Sequence, residues 1–298
     1  MERPLEDIVF DRSVPVAEKR RAARAWLDGW KRSLLPELRT FSFSKSKYAD
    51  RVTLIIYFFM PTEETFDLFE FSILQAWKVV GMLPTKIIVN QSWSAVERFE
   101  GAYKECVEVQ VEPTLITGDV RTMSSDCIER LWTRFQTDYC LIIQDDGFPI
   151  DVVRDDSGRI QNATLGDFIG KYDYVGGPSV RDVPAQYWVD LTRCVCMNGG
   201  LSLRSRRICR DVARQWRFWR KFVRIDSPMY SEDAIYSHVC CRNPLYRLRN
   251  RFASSKTARR FSLPDFDGVV DIRRSSIVPF GVHGPTAIWQ MSQRGIFA

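Results

Sequence analysis

The chain has 298 residues, of which 45% are hydrophobic and 27% charged, so it can form a substantial core and is too apolar for long disorder. Its longest apolar runs, such as residues 52–60, fall well short of the ~20 residues that a membrane-spanning helix needs. Because the amino terminus also lacks an apolar signal segment, we expect a soluble, cytoplasmic protein.

The net charge of +6 is unevenly distributed along the chain. Residues 204–260 contain sixteen Lys and Arg against four acids, a surplus of +12, so the rest of the chain is acidic on balance. A regional surplus of this kind indicates a basic surface that meets an anionic partner.

The eight cysteines do not form a C-x-x-C pair, and a chain of this size needs no disulfide framework. Since most of them lie in apolar segments, we expect reduced thiols within the core. The alternative is a metal cluster formed by Cys194, Cys196, Cys240 and Cys241.

The amino-terminal residues predict a helix. Residues 11–40 are polar and helix-forming, with apolar residues at three- and four-residue spacing. We therefore expect an N-terminal helical extension over residues 1–48 and a single domain over residues 49–298.

The next hundred residues alternate between strand and helix patterns. Strands are predicted at residues 51–59, 85–90 and 106–111, a helix at 66–80, and a second helix at 124–135 capped by Ser124 or Ser125. With the strand that starts at residue 139, this alternation predicts an α/β fold around a mainly parallel sheet, and such a half normally binds a nucleotide.

The most informative stretch is the apolar strand at residues 139–143, which is followed by Asp145 and Asp146. Carboxylates at the carboxyl end of a buried parallel strand can hold Mg²⁺ or Mn²⁺, and the cation can bridge the phosphates of a nucleotide. The alternative interpretation is an ordinary acidic turn.

The second half is less regular. A short helix is predicted at residues 165–172 and a basic, aromatic helix at 208–223. Glu232 and Asp233 lie at a predicted helix start, where their charge also favours the helix dipole. His283 lies in a glycine-flanked turn, and for a lone histidine a structural role is the more common one. His238 is interpreted as structural.

Taken together and in this order, the carboxylate pair, a glycine loop, the Glu-Asp pair and the late histidine resemble the markers of GT-A glycosyltransferases. More narrowly, the chain resembles an uncharacterised-domain family of that fold (DUF5672-like), over about residues 50–290. The segments that carry this resemblance are Leu-Ile-Ile-Gln-Asp-Asp at 141–146, Tyr-Asp-Tyr-Val-Gly-Gly-Pro at 172–178, Asn-Gly-Gly-Leu-Ser-Leu-Arg at 198–204, Glu-Asp at 232–233 and Phe-Gly-Val-His at 280–283.

The resemblance implies a mixed, mainly parallel GT-A (Rossmann-like) sheet flanked by helices, and a site for a nucleotide sugar with Mn²⁺ or Mg²⁺. Asp146 and His283 would be the metal ligands. Gln144 stands where the Asp-x-Asp motif of GT-A glycosyltransferases has its first carboxylate, so it would bind the nucleotide ribose or a metal-bound water. The resemblance leaves open whether Asp145 binds the metal or the donor, and we place it among the donor-binding residues. The glycine loop that would face the donor consists of Asn198, Gly199 and Gly200.

The same resemblance implies that Asp233 is the base that deprotonates the acceptor hydroxyl, with Glu232 binding donor or acceptor. Inversion is favoured because the motif set offers no second nucleophile. A UDP-sugar is the default donor, and the enzyme would be hexosyltransferase-like. A glycan or lipid-linked saccharide is the expected acceptor. The alternative acceptor is a hydroxylated base in DNA, favoured by the basic, aromatic region on both sides of Asp233.

Two other function classes are less well supported. A nucleotidyltransferase of related architecture would carry a basic, glycine-rich loop after its first strand, and residues 58–62 are neither. A nucleic-acid-binding module would explain the basic region but not the acidic motif or His283.

Overall fold

The computed structural model describes residues 3–11, 13–60, 62–153, 157, 161–178, 197–220, 232–233, 235–237, 249–264 and 278–297. Cys194, Cys196, Cys240 and Cys241, proposed above as an alternative metal cluster, lie outside the described residues, as does His238. Of the other cysteines, Cys127, Cys140 and Cys209 are free and buried, and Cys106 is free and half-buried.

The elements alternate along the first half of the chain as predicted and become shorter in the second half. The helices are α1 (Leu5–Phe10), α2 (Val16–Thr40), α3 (Phe66–Val80), α4 (Ser94–Ala102), α5 (Val120–Glu129), α6 (Leu131–Arg134), α7 (Arg206–Trp219), α8 (Ser255–Phe261) and α9 (Pro285–Ser292). The strands are β1 (Val52–Phe58), β2 (Thr85–Val89), β3 (Val107–Val111), β4 (Tyr139–Ile142), β5 (Gly147–Pro149), β6 (Tyr174–Pro178), β7 (Met197–Ser205), β8 (Ser262–Pro264) and β9 (Gly281–His283). No described helix is both long enough and apolar enough to cross a bilayer.

The central sheet has six strands in the order β3-β2-β1-β4-β7-β6. The pairs β1–β2, β2–β3 and β1–β4 are parallel, whereas β4–β7 and β6–β7 are antiparallel. The protein is therefore a mixed α/β protein with a mainly parallel central sheet flanked by helices. Every residue of β1 and of β4 is buried, as expected for strands covered on both faces.

A second, three-stranded sheet has the order β5-β9-β8. It lies beside the carboxyl end of β4, because β5 begins at Gly147, directly after the two aspartates. Its middle strand, β9, ends at His283. This small sheet is what brings the end of the chain to the end of β4.

The predicted N-terminal helix packs against α3 and α9. Its buried residues Ala23, Leu27, Leu35 and Leu38 follow helical spacing, and Lys31 lies within the same stripe. The helix therefore covers part of the core and carries a lysine into it.

Some local predictions were wrong. The helix predicted at 124–135 is two helices, and its amino-terminal cap is the Asp119 side chain, which accepts from the backbone N–H of Arg121, rather than Ser124 or Ser125. The helix predicted at 165–172 is a 3-10 turn over Leu165–Asp167. In both cases a short polar residue upstream provides the cap, Asp119 in the first and Thr164 in the second.

Candidate active site

The candidate residues lie where the order of the central strands changes direction. From β1 the chain proceeds outward through β2 and β3, and it then returns to the other side of β1 with β4. Open α/β sheets bind ligands outside the carboxyl ends of their strands at such a change of direction. The segment that leaves β4 there, residues 144–147, is called the acidic turn below.

Three candidate side chains meet at the acidic turn. The Nε2 atom of His283 lies 3.3 Å from Oε1 of Gln144 and 3.4 Å from Oδ1 of Asp146. The side chains of Asp146 and His283 are 23% and 14% exposed, so the group is accessible from solvent. The backbone N–H of Gly284 donates to the Asp146 carbonyl at 2.6 Å, which joins β9 to the turn.

Two glycines provide the space that His283 occupies. A Cβ atom on Gly200 would overlap the His283 imidazole and lie 2.5 Å from Oε1 of Gln144. A Cβ atom on Gly147 would lie 2.6 Å from Cδ2 of the same imidazole. Any larger residue at either position would displace the histidine from the carboxylate.

Two cations of α2 contact the acidic turn from the other side. The ammonium of Lys31, whose residue is 1% exposed, donates to the carbonyl of Asp145, to the carbonyl of Leu68 at 3.0 Å and to the Ser72 hydroxyl at 2.8 Å. The guanidinium of Arg24 pairs with the Asp145 carboxylate. The turn is therefore held by a helix that begins more than a hundred residues earlier in the chain.

The two aspartates differ in their electrostatic surroundings. Burial, together with the charge of Asp146, raises the pKa of Asp145 in spite of Arg24 and Lys31. Burial would also raise the pKa of Asp146, but the adjacent His283 and the two cations hold it well below its usual range. Burial lowers the pKa of Lys31 to about 7, although both carboxylates oppose this shift. Asp146 is thus the aspartate whose charged form the surroundings favour more, and it faces the imidazole.

Glu232 belongs to a second, buried group. Its Oε1 atom lies 3.1 Å from Nη2 of Arg204, and its Oε2 atom accepts from the Ser124 hydroxyl at 3.3 Å. The Arg204 guanidinium is fully buried, 4.4 Å from the ring centre of Tyr236. Burial and the neighbouring charge of Asp233 raise the pKa of Glu232, whereas Arg204 opposes that rise. Asp233 itself is half-buried.

The glycine loop separates these two groups and touches both. A Cβ atom on Gly199 would overlap Oε1 of Glu232, whereas its neighbour Gly200 faces His283. The Asn198 side chain folds back and accepts from the backbone N–H of Gly200 at 2.8 Å. The structure thus brings the predicted metal and donor residues and Glu232 to one region.

The residues at the acidic turn fit a hard or borderline divalent cation. A carboxylate, an amide oxygen and an imidazole are donor types that Mn²⁺ accepts, and the glycines leave the imidazole next to the carboxylate. Among the described residues no cluster of three or more His, Cys, Asp and Glu side chains is placed to bind a metal. Any ion held by Asp146 and His283 would therefore need ligands from water or substrate as well.

Three residues of the region were not identified from the sequence. Lys31 and Arg24 belong to the predicted N-terminal extension, and only the lysine carried a signal, a charge within the apolar stripe of α2. Arg204 was assigned to the basic surface, and that assignment was wrong because the residue is fully buried beside Glu232.

The fold and the site define an α/β protein whose carboxylates lie at the topological switch point of its sheet. A family model described as "Protein of unknown function (DUF5672)" matches residues 112–283. This is more than half of the chain, and the protein therefore belongs to that family, as its motifs had indicated. No curated protein matches the chain.

Solved structures with a similar arrangement include two mannosyltransferases. PcManGT from Pyrobaculum calidifontis, solved with GDP-Man and Mn²⁺, has 13% identity and a TM-score of 0.36 over 70% of this chain and 58% of its own. Ktr4p from S. cerevisiae has 10% identity and a TM-score of 0.30 over 58% of this chain and 53% of its own. The chain thus spans little more than half the length of either protein.

Proposed function

We propose that the protein is a metal-dependent, hexosyltransferase-like glycosyltransferase of the GT-A type, which moves a sugar from a nucleotide-sugar donor to an acceptor hydroxyl. The observation that carries the proposal is the grouping of Gln144, Asp146 and His283 at the switch point of the sheet. An ordinary acidic turn would not need a histidine from the far end of the chain, nor glycines that make room for it.

In this proposal Asp146 and His283 hold Mn²⁺ or Mg²⁺. A cation bound there would supply positive charge to neutralise the departing diphosphate. Gln144 binds the donor ribose or a water on the cation. The loop of Asn198, Gly199 and Gly200 lines the donor sugar, because its backbone approaches the site without side chains in the way.

Asp233 accepts the proton of the acceptor hydroxyl as the hydroxyl oxygen attacks the anomeric carbon of the sugar. The new bond joins that oxygen to the anomeric carbon, and the bond to the phosphate oxygen breaks, so that the nucleoside diphosphate leaves with the electron pair. In-line attack inverts the anomeric centre. Glu232, fixed by Arg204 and Ser124, orients the donor or acceptor beside Gly199.

The direct test is release of a nucleoside diphosphate from UDP- and GDP-sugars in the presence of Mn²⁺. Asp233→Asn should retain donor binding and lose transfer by about a hundredfold or more, because the amide is nearly isosteric but cannot take the proton. Transfer within a few-fold of the wild-type rate would locate the base elsewhere. Absence of any metal-dependent donor binding in the wild type would refute the proposal.

For the acceptor we propose a glycan or lipid-linked saccharide. The alternative, a hydroxylated base in DNA, is favoured by one surface: Arg214 and Arg217 are exposed on α7 and Arg220 at its carboxyl-terminal cap, next to Phe218, which is 60% exposed. If DNA is the acceptor, duplex binding should fall steeply with salt, and changing the three arginines to alanine should flatten that dependence. Undetectable duplex binding at low ionic strength would rule out DNA and leave the glycan or lipid-linked saccharide as the proposed acceptor.

A further inference from the structure

Helix α2 contributes to the candidate site although it lies outside residues 112–283, which the family model matches. Lys31 and Arg24, seven residues apart, occupy the same face of the helix, two turns from each other. Both contact Asp145, one through its backbone carbonyl and the other through its carboxylate. They differ in what else their charged groups can bind.

Lys31 is an anchor. Its ammonium is enclosed by Phe148 and Phe71, at 4.6 and 5.1 Å from the ring centres. An ammonium has three N–H donors, and the acceptors at Leu68, Ser72 and Asp145 use all three. Lys31 therefore fixes α2 against the acidic turn and has no capacity left for a ligand.

Arg24 is different. Its guanidinium has five N–H donors, and its side chain is 31% exposed. Its Nε atom lies 2.8 Å from Oδ1 of Asp28, one turn further along α2, and its Nη2 atom pairs with Asp145. The ion pairs with these two carboxylates place the guanidinium beside the acidic turn, with N–H donors remaining for a further acceptor.

We propose that Arg24 binds the diphosphate of the nucleotide donor, next to the cation held by Asp146 and His283. This inference rests on the proposed function. A diphosphate that enters a site with Asp145 and Asp146 meets two carboxylates, so it needs positive charge in addition to one divalent ion. An oriented guanidinium provides this charge together with two parallel N–H donors that match phosphate oxygens. The rival interpretation is that Arg24 only neutralises Asp145 and holds the turn in shape.

The two interpretations agree that removing Arg24 weakens diphosphate binding, but they predict different effects on the affinity for Mn²⁺. Removing a positive charge beside the carboxylates should leave the affinity for Mn²⁺ unchanged or raise it, and should weaken the affinity for a diphosphate. A purely structural role would weaken both, because a displaced turn loses its metal as well.

The experiment titrates the full chain with Mn²⁺ alone and then, at saturating Mn²⁺, with inorganic pyrophosphate, UDP and GDP. The variants are Arg24→Ala and Arg24→Lys, with Arg21→Ala as the matched control, since Arg21 is an exposed arginine of the same helix. For Arg24→Ala we expect Mn²⁺ to bind as tightly as in the wild type or more tightly, and pyrophosphate and the tighter-binding nucleotide to bind about tenfold more weakly or worse. Arg24→Lys should recover part of that loss. The control Arg21→Ala should bind Mn²⁺, pyrophosphate and nucleotide as tightly as the wild type.

Wild-type diphosphate affinity in Arg24→Ala would overturn the inference and leave the proposed function intact, as would a parallel loss of Mn²⁺ binding. A wild-type protein that binds no diphosphate with Mn²⁺ would refute the proposed function and this inference with it. Equal losses in Arg21→Ala and Arg24→Ala would also overturn the inference, because they would reflect the net charge of the helix.

Discussion

Two acidic groups lie beyond the carboxyl ends of parallel strands in this molecule, and they are built differently. The first, which we call the closed cluster, consists of Glu112, Asp126, Arg130 and Arg134. Arg134 contacts both carboxylates, Arg130 adds a second contact to Glu112 at 2.9 Å, and the Tyr57 hydroxyl donates to Asp126 at 2.8 Å. The second is the acidic turn.

The difference lies in the partners of the carboxylates. In the closed cluster both acids are buried and their oxygens already accept hydrogen bonds, at Glu112 from Arg130, Arg134 and Thr114 and at Asp126 from Arg134 and Tyr57. At the acidic turn, Asp145 is paired with Arg24, but Asp146 faces an imidazole at 3.4 Å and keeps 23% of its side chain exposed. A carboxylate that is exposed and not paired with a guanidinium, rather than the number of acids, therefore distinguishes a binding site from a structural ion pair.

The largest expected effect is on the stability of the closed cluster. Arg134→Met leaves Glu112 and Asp126 buried without their main partner, which should reduce the free energy of unfolding by about 3–5 kcal/mol. Arg130→Met is the control, because its side chain is 48% exposed and such pairs contribute about 0–1 kcal/mol. Urea unfolding measures both. Equal losses in the two variants would contradict the distinction between buried and exposed partners.

The next effect concerns metal binding. Asp146→Ala and His283→Ala should each weaken Mn²⁺ binding by more than about a hundredfold, since loss of a partner one shell further out already costs ~10–100-fold. Their thermal unfolding should stay close to that of the wild type. Asp138→Ala serves as control, since that carboxylate is 66% exposed and pairs with Arg51 instead. If both site variants bind Mn²⁺ as the wild type does, Asp146 and His283 are not the metal ligands.

A smaller change tests the space around His283. Gly200→Ala places a Cβ atom against the imidazole and should weaken Mn²⁺ binding by about tenfold, a free-energy difference of ~1.4 kcal/mol. Gly29→Ala is the matched control: no atom lies within 4 Å of the added methyl group, and the change should stabilise α2 by about 0.5–1 kcal/mol. Unchanged metal binding in Gly200→Ala would show that metal binding does not require the His283 imidazole to occupy the space beside Gly200.

The smallest effect depends on pH. Burial would raise the pKa of Glu112, but hydrogen bonds from Arg134 and Thr114 lower it from 4.5 to about 2. Because the folded-state pKa is depressed, the stabilising contribution is complete above pH 4.5 and is lost as the pH falls toward about 2. The stability difference between the wild type and Glu112→Gln should therefore shrink across this window. A difference that does not change with pH would show that Glu112 acts without its charge.

Elements with long sequence patterns could be predicted before the fold was known. Helix α3 has the predicted bounds, Phe66–Val80, and β1, β2 and β3 lie within one or two residues of the predicted limits. Long runs of buried β-branched residues and helical periodicity are local properties, so they can be identified without knowledge of the fold. Carboxylates that follow a buried strand can likewise be identified from the sequence alone.

Which of these residues contact each other depends on the folded chain and could not be predicted. The contact between Lys31 and Asp145 spans 114 residues, and that between Gln144 and His283 spans 139. Strands β5, β8 and β9 have three residues each, too few for a period to be visible, yet they bring His283 to Asp146. Charge patterns alone also cannot tell a buried arginine from an exposed one, because burial of Arg204 depends on Glu232 and Tyr236, which only the packed chain places beside it.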